Sequence, residues 1–348
     1  MNTEKKRLIV FIIVAYGVTF LMGIPMYIGF QNGFDLSCFP SAQMMYPAAG
    51  VALGLLLYGE KDKVPKGFMI SILTITVLLM ILAILSIGMH KNPITLIGSQ
   101  MDVYYLIANY VIMLGSIIVW IFYFLAGKER REAVGLGRKN WGKAAIMVVL
   151  FVVLYILRIL LCTLIDAVIH QTGSQGFQEL LAVYKDPMVW MSIVLLPINY
   201  LISFLVFFGE EYGWRYYLQG ELQKKFGMRL GVILLGLFWG LWHLPIDLMY
   251  YTKDSGIQML ISQLVTCVAL AIFFGYAYLK TNNIWVPVCI HYLNNNLIPI
   301  ISGNMSTDVL ENQHVEWMDI AISLVADLVV FCIFLFAKEY REKKEDRE

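Results

Sequence analysis

Apolar residues gather along this chain in long runs separated by short polar stretches. A run of about 20 apolar residues is what a helix needs to cross the hydrocarbon of a bilayer. Such runs fall at 8–30, 42–58, 68–89, 103–126, 144–170, 188–210, 230–250, 257–280, 284–302 and 317–337, which predicts about ten spans. The run at 42–58 is short and holds Pro47 and Gly50. The expected fold is all-α, a polytopic transmembrane helical bundle.

Composition sharpens this. The 348 residues are 59% hydrophobic and 15% charged, where a soluble domain is about 45–50% apolar and about 25% charged. That excludes a disordered chain, a collagen-like chain and an ordinary soluble enzyme. A net charge of +1 names no partner, and no basic face for nucleic acid is present. The placement of charge says more. With a cytoplasmic N-terminus, 22 of the 26 Lys and Arg residues fall in inside segments. Three (Lys91, Lys185 and Lys253) fall outside, and Arg158 lies within a span. By the positive-inside rule both termini are then cytoplasmic and the chain is a multi-pass protein of the cell membrane.

The first run has basic residues before it but no small-residue cleavage site after it, so it reads as a retained helix. The five cysteines are scattered and form no Cys-x-x-Cys, so neither a disulfide framework nor a thiolate metal site is indicated. The polar stretch 127–143 divides a four-helix N-terminal part, 1–140, from the remainder, 141–348, which ends in a charged tail at 338–348. No motif marks the N-terminal part.

Ionisable side chains inside a bilayer cost at least ~2.5–3.5 kcal/mol each at mid-helix, so they need a compensating role. Glu210 and Glu211 interrupt the aromatic run SFLVFFGEEYGWRYYLQGELQKKF at 203–226. Trp214, Tyr216 and Tyr217 read as interfacial aromatics ahead of a membrane exit at Lys224 and Lys225. Glu210 lies 14 residues from Lys224, about 21 Å along a helix and so well inside the membrane. Neighbouring helical residues point about 100° apart, so the two carboxylates face different ways. Glu211 and Arg215 are spaced i,i+4 and can pair. Glu210 is left without a local cation, as suits a general base working near neutral pH.

The next span brings His243 to a matching depth, 14 residues from Arg229. Trp239 lies one turn before it. Pro245 cannot donate a backbone bond and opens room for a kink. Asp247, four residues past His243, can orient the imidazole. In 284–302, His291 and Asn295 share a face at a similar depth, while Asn294 and Asn296 point elsewhere. Arg158 and Asp166 in the fifth span also need partners.

This set lacks the signatures of several hydrolase classes. No Ser sits in a Gly-x-Ser-x-Gly elbow, no thiol is indicated as nucleophile, and neither a His-Glu-x-x-His helix nor a Gly-x-Gly-Asp pairing is present. What remains is a carboxylate base with neutral donors, able to activate water and stabilise an oxyanion. Alternatively, Glu210, His243 and His291 could hold Zn²⁺ with an open position.

Glu210-Glu211-x-x-x-Arg215, Trp239-x-x-x-His243 and His291-x-x-x-Asn295, each in its own span, resemble the three motifs of the CPBP (CAAX protease and bacteriocin-processing, or Abi) intramembrane proteases. The resemblance covers about 195–300, and Trp239 stands where the family commonly has Phe. It implies hydrolysis of a peptide bond in a cavity open to the cytoplasm, with 141–348 as the catalytic core. Glu210 with His243 would activate the water, His291 and Asn295 would stabilise the oxyanion, and Glu211 and Arg215 would support the site. The implied substrates are prenylated CAAX proteins, or bacteriocin and pheromone precursors presented at membrane lipid. A metal-free mechanism is preferred, since thiolates are lacking and Asn holds the fourth position; Zn²⁺ is the alternative. Two other functions stay open. One is a non-catalytic immunity or scaffold protein that keeps the motif for partner binding. The other is a proton-coupled secondary transporter, which calls for inverted repeats that are not found.

Overall fold

The computed structural model describes residues 2–88, 93–96, 99–303 and 310–341. Lys91 and the tail residues 342–348, both used in the charge argument, lie outside the described residues. Surrounded by apolar side chains, the backbone can satisfy its N–H and C=O groups only with itself, and the apolar runs accordingly become helices. In chain order these are α1 (Thr3–Gln31), α2 (Cys38–Tyr58), α3 (Lys66–Ser86), α4 (Val103–Leu125), α5 (Lys128–Ala133), α6 (Trp141–His170), α7 (Gln175–Val183) and α8 (Pro187–Phe226). They continue as α9 (Met228–Trp242), α10 (Leu244–Tyr251), α11 (Gly256–Thr281), α12 (Trp285–Ser302) and α13 (Trp317–Phe336). A short antiparallel hairpin, β1 (Pro93–Leu96) with β2 (Ser99–Asp102), joins α3 to α4.

The protein is an all-α, multi-pass membrane bundle. Among the described residues, seven helices are long and apolar enough to cross a membrane, or eight if the bent pair α9–α10 is one span. The ten apolar runs all fold as helix, but α2 and α12 fall outside that set of seven or eight. Prolines and glycines dilute α2, and Asn294, Asn295 and Asn296 dilute α12. Leu114, Ile118 and Phe124 of α4 and Ile146, Val149 and Val153 of α6 point outward, as a lipid-facing surface requires.

Two close helix contacts position the site. Gly209 and Gly213 of α8 lie against the backbone of α2, where an added Cβ would come within 2.4 Å of Met44 O and 2.2 Å of Pro47 Cβ. Gly236 and Gly240 of α9 lie against α11 in the same way, at Val268 and Leu264. Both pairs have the small-x-x-x-small spacing that lets membrane helices approach closely. The N-terminal helices and the remainder thus share one apolar core.

Two further features answer expectations from the sequence. Arg158 makes a two-pronged pair with Asp327 of α13, Nη2 donating to Oδ2 at 3.3 Å beside the closer Nε contact. Asp166 instead takes His170, at 3.0 Å on an exposed face.

Candidate active site

Glu210 and Glu211 sit in the middle of α8, which does not end near 210 but runs on to Phe226. Directly after Glu211 the helix widens into a π-helical stretch at Tyr212–Leu218, a deformation that recurs at functional sites. Both carboxylates and Arg215 are buried.

Glu211 is a hub. Its Oε1 accepts from His291 Nδ1 at 2.8 Å, and its Oε2 lies 3.1 Å from Arg215 Nε. The second contact is an ion pair without hydrogen-bond alignment, since both atoms go unsatisfied by that criterion. The guanidinium carbon lies instead over aromatic rings, 4.3 Å from the Trp239 ring centroid and 5.3 Å from that of Phe274. Such stacking suits a cation removed from water.

Glu210 forms no ion pair with a Lys or Arg among the described residues. Its Oε2 accepts from Trp239 Nε1 at 2.6 Å and from Trp214 Nε1 at 3.3 Å. Its Oε1 accepts no hydrogen bond from the described residues. Trp214 was expected at the membrane interface; the structure corrects this, because the ring is fully buried against Phe11, Tyr16 and Trp242. An aromatic residue near a basic cluster looks the same in sequence whether it faces headgroups or packs inward under α1.

His243 closes α9. Pro245, two residues on, removes a backbone donor, and α9 and α10 are bent by about 40° there. The Nδ1 of His243 lies 2.9 Å from the Trp239 carbonyl. A carbonyl can only accept, so Nδ1 carries the proton and Nε2 presents a lone pair. The expected support from Asp247 is absent: both of its carboxylate oxygens are buried without a partner. The i,i+4 backbone bond is intact, Asp247 N donating to His243 O at 2.9 Å, but the imidazole turns back onto the preceding turn, away from Asp247. The orienting group is the Trp239 carbonyl instead.

On α12, the His291 Nδ1–H given to Glu211 leaves Nε2 free. Asn295 Oδ1 accepts from Asn294 Nδ2 at 3.0 Å, which leaves the Asn295 amide N–H₂ free to donate. Asn294 therefore belongs to the site and does not point elsewhere; Asn296 does, donating to Tyr292 O at 2.9 Å.

Glu210, His243, His291 and Asn295 all line one cavity of about 230 Å³, together with Trp239 and Asn294. It has room and polar groups enough for ordered water. Pro40 and Met44 of α2 form part of its wall, as do Ser262, Gln263 and Thr266 of α11. A thiol is present after all: Cys267 lines the cavity with Sγ 4.0 Å from His243 Nδ1. That nitrogen already carries a proton committed to a carbonyl, so it cannot deprotonate the thiol. Among the described residues, no three His, Cys, Asp or Glu side chains are grouped to hold a metal ion. As they stand, Glu210, His243 and His291 do not fit a three-donor zinc site, and one oxygen of Glu210 is already taken by two indoles.

Comparison with known proteins bears on the same region. Residues 187–297 match the family model described as Type II CAAX prenyl endopeptidase Rce1-like. This segment, about a third of the chain, is similar to the CAAX-protease family. It contains all three motifs, from the Glu210–Glu211 pair on α8 to Asn295 on α12. Over 122 residues the chain is 25% identical to a protein of Methanococcus maripaludis named CAAX prenyl protease 2. That alignment takes in 33% of this chain and 45% of the relative, so the chain spans under half the length of the curated relative it matches. No solved structure matches the chain.

Proposed function

We propose that the protein is an intramembrane endopeptidase of the CAAX type, cleaving a peptide bond of a lipidated protein or peptide with water activated by Glu210. One observation carries the reading. Glu210 Oε1, the Nε2 atoms of His243 and His291, and the Asn295 amide are all free of partners among the described residues and belong to side chains lining one buried cavity. Four unsatisfied polar groups at membrane depth are costly unless water or substrate completes them.

In this mechanism a water is held between Glu210 Oε1 and His243 Nε2. Glu210 takes one of its protons as the oxygen attacks the substrate carbonyl carbon. The developing oxyanion receives a hydrogen bond from the Asn295 amide and, when its Nε2 carries a proton, one from His291, whose ring Glu211 orients through Nδ1. When the C–N bond breaks, the proton on Glu210 passes to the leaving amine. Glu211 and Arg215 hold the geometry and do not touch the reacting atoms.

The proposed substrate is a prenylated CAAX-type protein or peptide, with bacteriocin or pheromone precursors as the alternative. The proposed setting is the cell membrane, with both termini on the cytoplasmic side; in that topology Leu310, Gln313 and Val315, which line the cavity, lie toward the opposite side. No metal is required in this scheme. The test is cleavage of an internally quenched farnesylated CAAX peptide by the purified protein in lipid nanodiscs, with and without a chelator. The scheme expects cleavage that survives the chelator and is lost in His243→Ala and His291→Ala. Loss of cleavage on chelation, restored by Zn²⁺, would overturn the metal-free step. Absence of cleavage in the wild type, with the motif variants still conferring any protective phenotype, would favour the scaffold function.

A further inference from the structure

Among the described residues the Glu211–Arg215 pair makes no side-chain hydrogen bond or ion pair to Glu210 or His243, yet its position in the first motif ties it to the same turn of α8. The structure offers a route between them. Trp239 presents two different surfaces to two different groups. Its ring face carries the Arg215 guanidinium at 4.3 Å, and its edge N–H donates to Glu210 Oε2 at 2.6 Å. Arg215 in turn is held by Glu211 Oε2 at 3.1 Å. From the other side, Trp214 adds a second indole N–H to the same carboxylate oxygen at 3.3 Å.

Resting on the reading of Glu210 as the base, we infer that Trp239 and Trp214 are positioning residues that clamp one oxygen of Glu210, and that Arg215 acts on Glu210 through the plane of Trp239. Two donors on Oε2 fix the carboxylate's rotation, so that Oε1 alone is presented to the cavity. A carboxylate in an apolar site without such donors turns freely and has no counterpart to its charge. The cation over the ring face fixes the tilt of the indole, which sets where its N–H points. Arg215 thereby contributes to the base without contacting it. This also accounts for tryptophan at position 239: a phenylalanine there preserves the ring under Arg215 but has no N–H to give.

The experiment uses the full protein in nanodiscs and the farnesylated CAAX peptide. Trp239→Phe is expected to lower kcat about tenfold or more with KM unchanged within about twofold, as the loss of a hydrogen bond to a charged group at the reacting centre requires. Trp214→Phe, at the longer distance, loses less. Arg215→Lys keeps the charge but not the broad guanidinium over the ring, and lowers kcat in the same pattern. In the Glu210→Gln background, Trp239→Phe has no further effect on the residual rate. A readout independent of turnover is the set of indole N–H NMR signals from the eight tryptophans. Two of them, assigned through the Phe variants, are expected to shift upfield in Glu210→Gln. Wild-type kcat in both Phe variants, or two unmoved indole signals, would overturn the clamp while leaving Glu210 as base intact. An active Glu210→Gln enzyme would instead remove the base on which the clamp rests.

Discussion

Replacing Gly213 with alanine tests how tightly the N-terminal helices are tied to the site. A Cβ at 213 would stand 2.2 Å from Pro47 Cβ and 2.9 Å from the Pro47 backbone. The obstacle is a rigid ring and main chain, so no side-chain rotation relieves it. Restoring ordinary contact at 3.4 Å means parting α2 from α8 by about 1.2 Å. A gap of roughly 0.5–1 Å already forfeits about a quarter to a half of each dispersion contact along the seam. The expected destabilisation is about 2–3 kcal/mol, the upper part of the usual overpacking range, or roughly 30- to 150-fold in the folding equilibrium. The functional effect is coupled, because α2 supplies Pro40 and Met44 to the cavity wall and Gln43 donates to Trp242 O at 2.8 Å beside His243. Thermal unfolding in detergent and peptide cleavage in nanodiscs are the assays. Gly220→Ala is the control: it lies on the same helix, exposed, with nothing within 4 Å of its Cβ. There alanine should stabilise by up to about 1 kcal/mol. Gly213→Ala melting and cleaving like the wild type would refute the close seam.

Three further outcomes follow from single contacts. Glu211→Gln leaves Arg215 buried without its counter-charge and should destabilise by about 3–5 kcal/mol, read as loss of the folded peak in size-exclusion after mild heating. Arg158→Ala strands the buried Asp327 and should be more harmful than the double change Arg158→Gln with Asp327→Asn; equal melting temperatures would sink the pairing. The loop after α12 is pinned by Asn312 N and Gln313 N to the carbonyls of Tyr250 and Tyr251, and by His314 to Asp254 at 3.1 Å. The His314 hydrogen bond holds the Asp254 carboxyl below its ordinary value. A depressed carboxylate contributes stability that is full above its unfolded pKa and fades as pH falls through the folded one. Protection factors at 312–315, with the intrinsic pH dependence of exchange divided out, should therefore be unchanged from neutral pH down to about 4 and fall only below that; a fall already at pH 6 would contradict it.

The helices and the acid pair of α8 were legible because charge inside an apolar run is conspicuous at any register. His243, His291 and Asn295 could be ranked by depth alone, since two antiparallel helices counted from their basic ends bring equal counts to equal levels. Other features left no such trace. The partner of Arg158 lies 169 residues away on α13, and no periodicity links them. Trp214 carries the same signal whether it anchors at headgroups or donates to a carboxylate. Asp247 does not reach His243 because i,i+4 spacing does not fix which way the imidazole turns, and here it turns back to Trp239 O. The place of α2 in the cavity wall was hidden by the prolines and glycines that weaken its hydropathy; the same small residues permit its approach. Gly209-x-x-x-Gly213 and Gly236-x-x-x-Gly240 were readable signals of that approach, set beside the motifs themselves.

The most direct measurement is the single-turnover rate of farnesylated-peptide cleavage by wild type and Glu210→Gln, each shown by its melting curve to be folded. The amide keeps the size of the carboxyl but cannot accept the water's proton, so the rate should fall by at least about a hundredfold, the lower end for general-base catalysis. A folded Glu210→Gln protein that cleaves at the wild-type rate would contradict the assignment of Glu210 as the water-activating base.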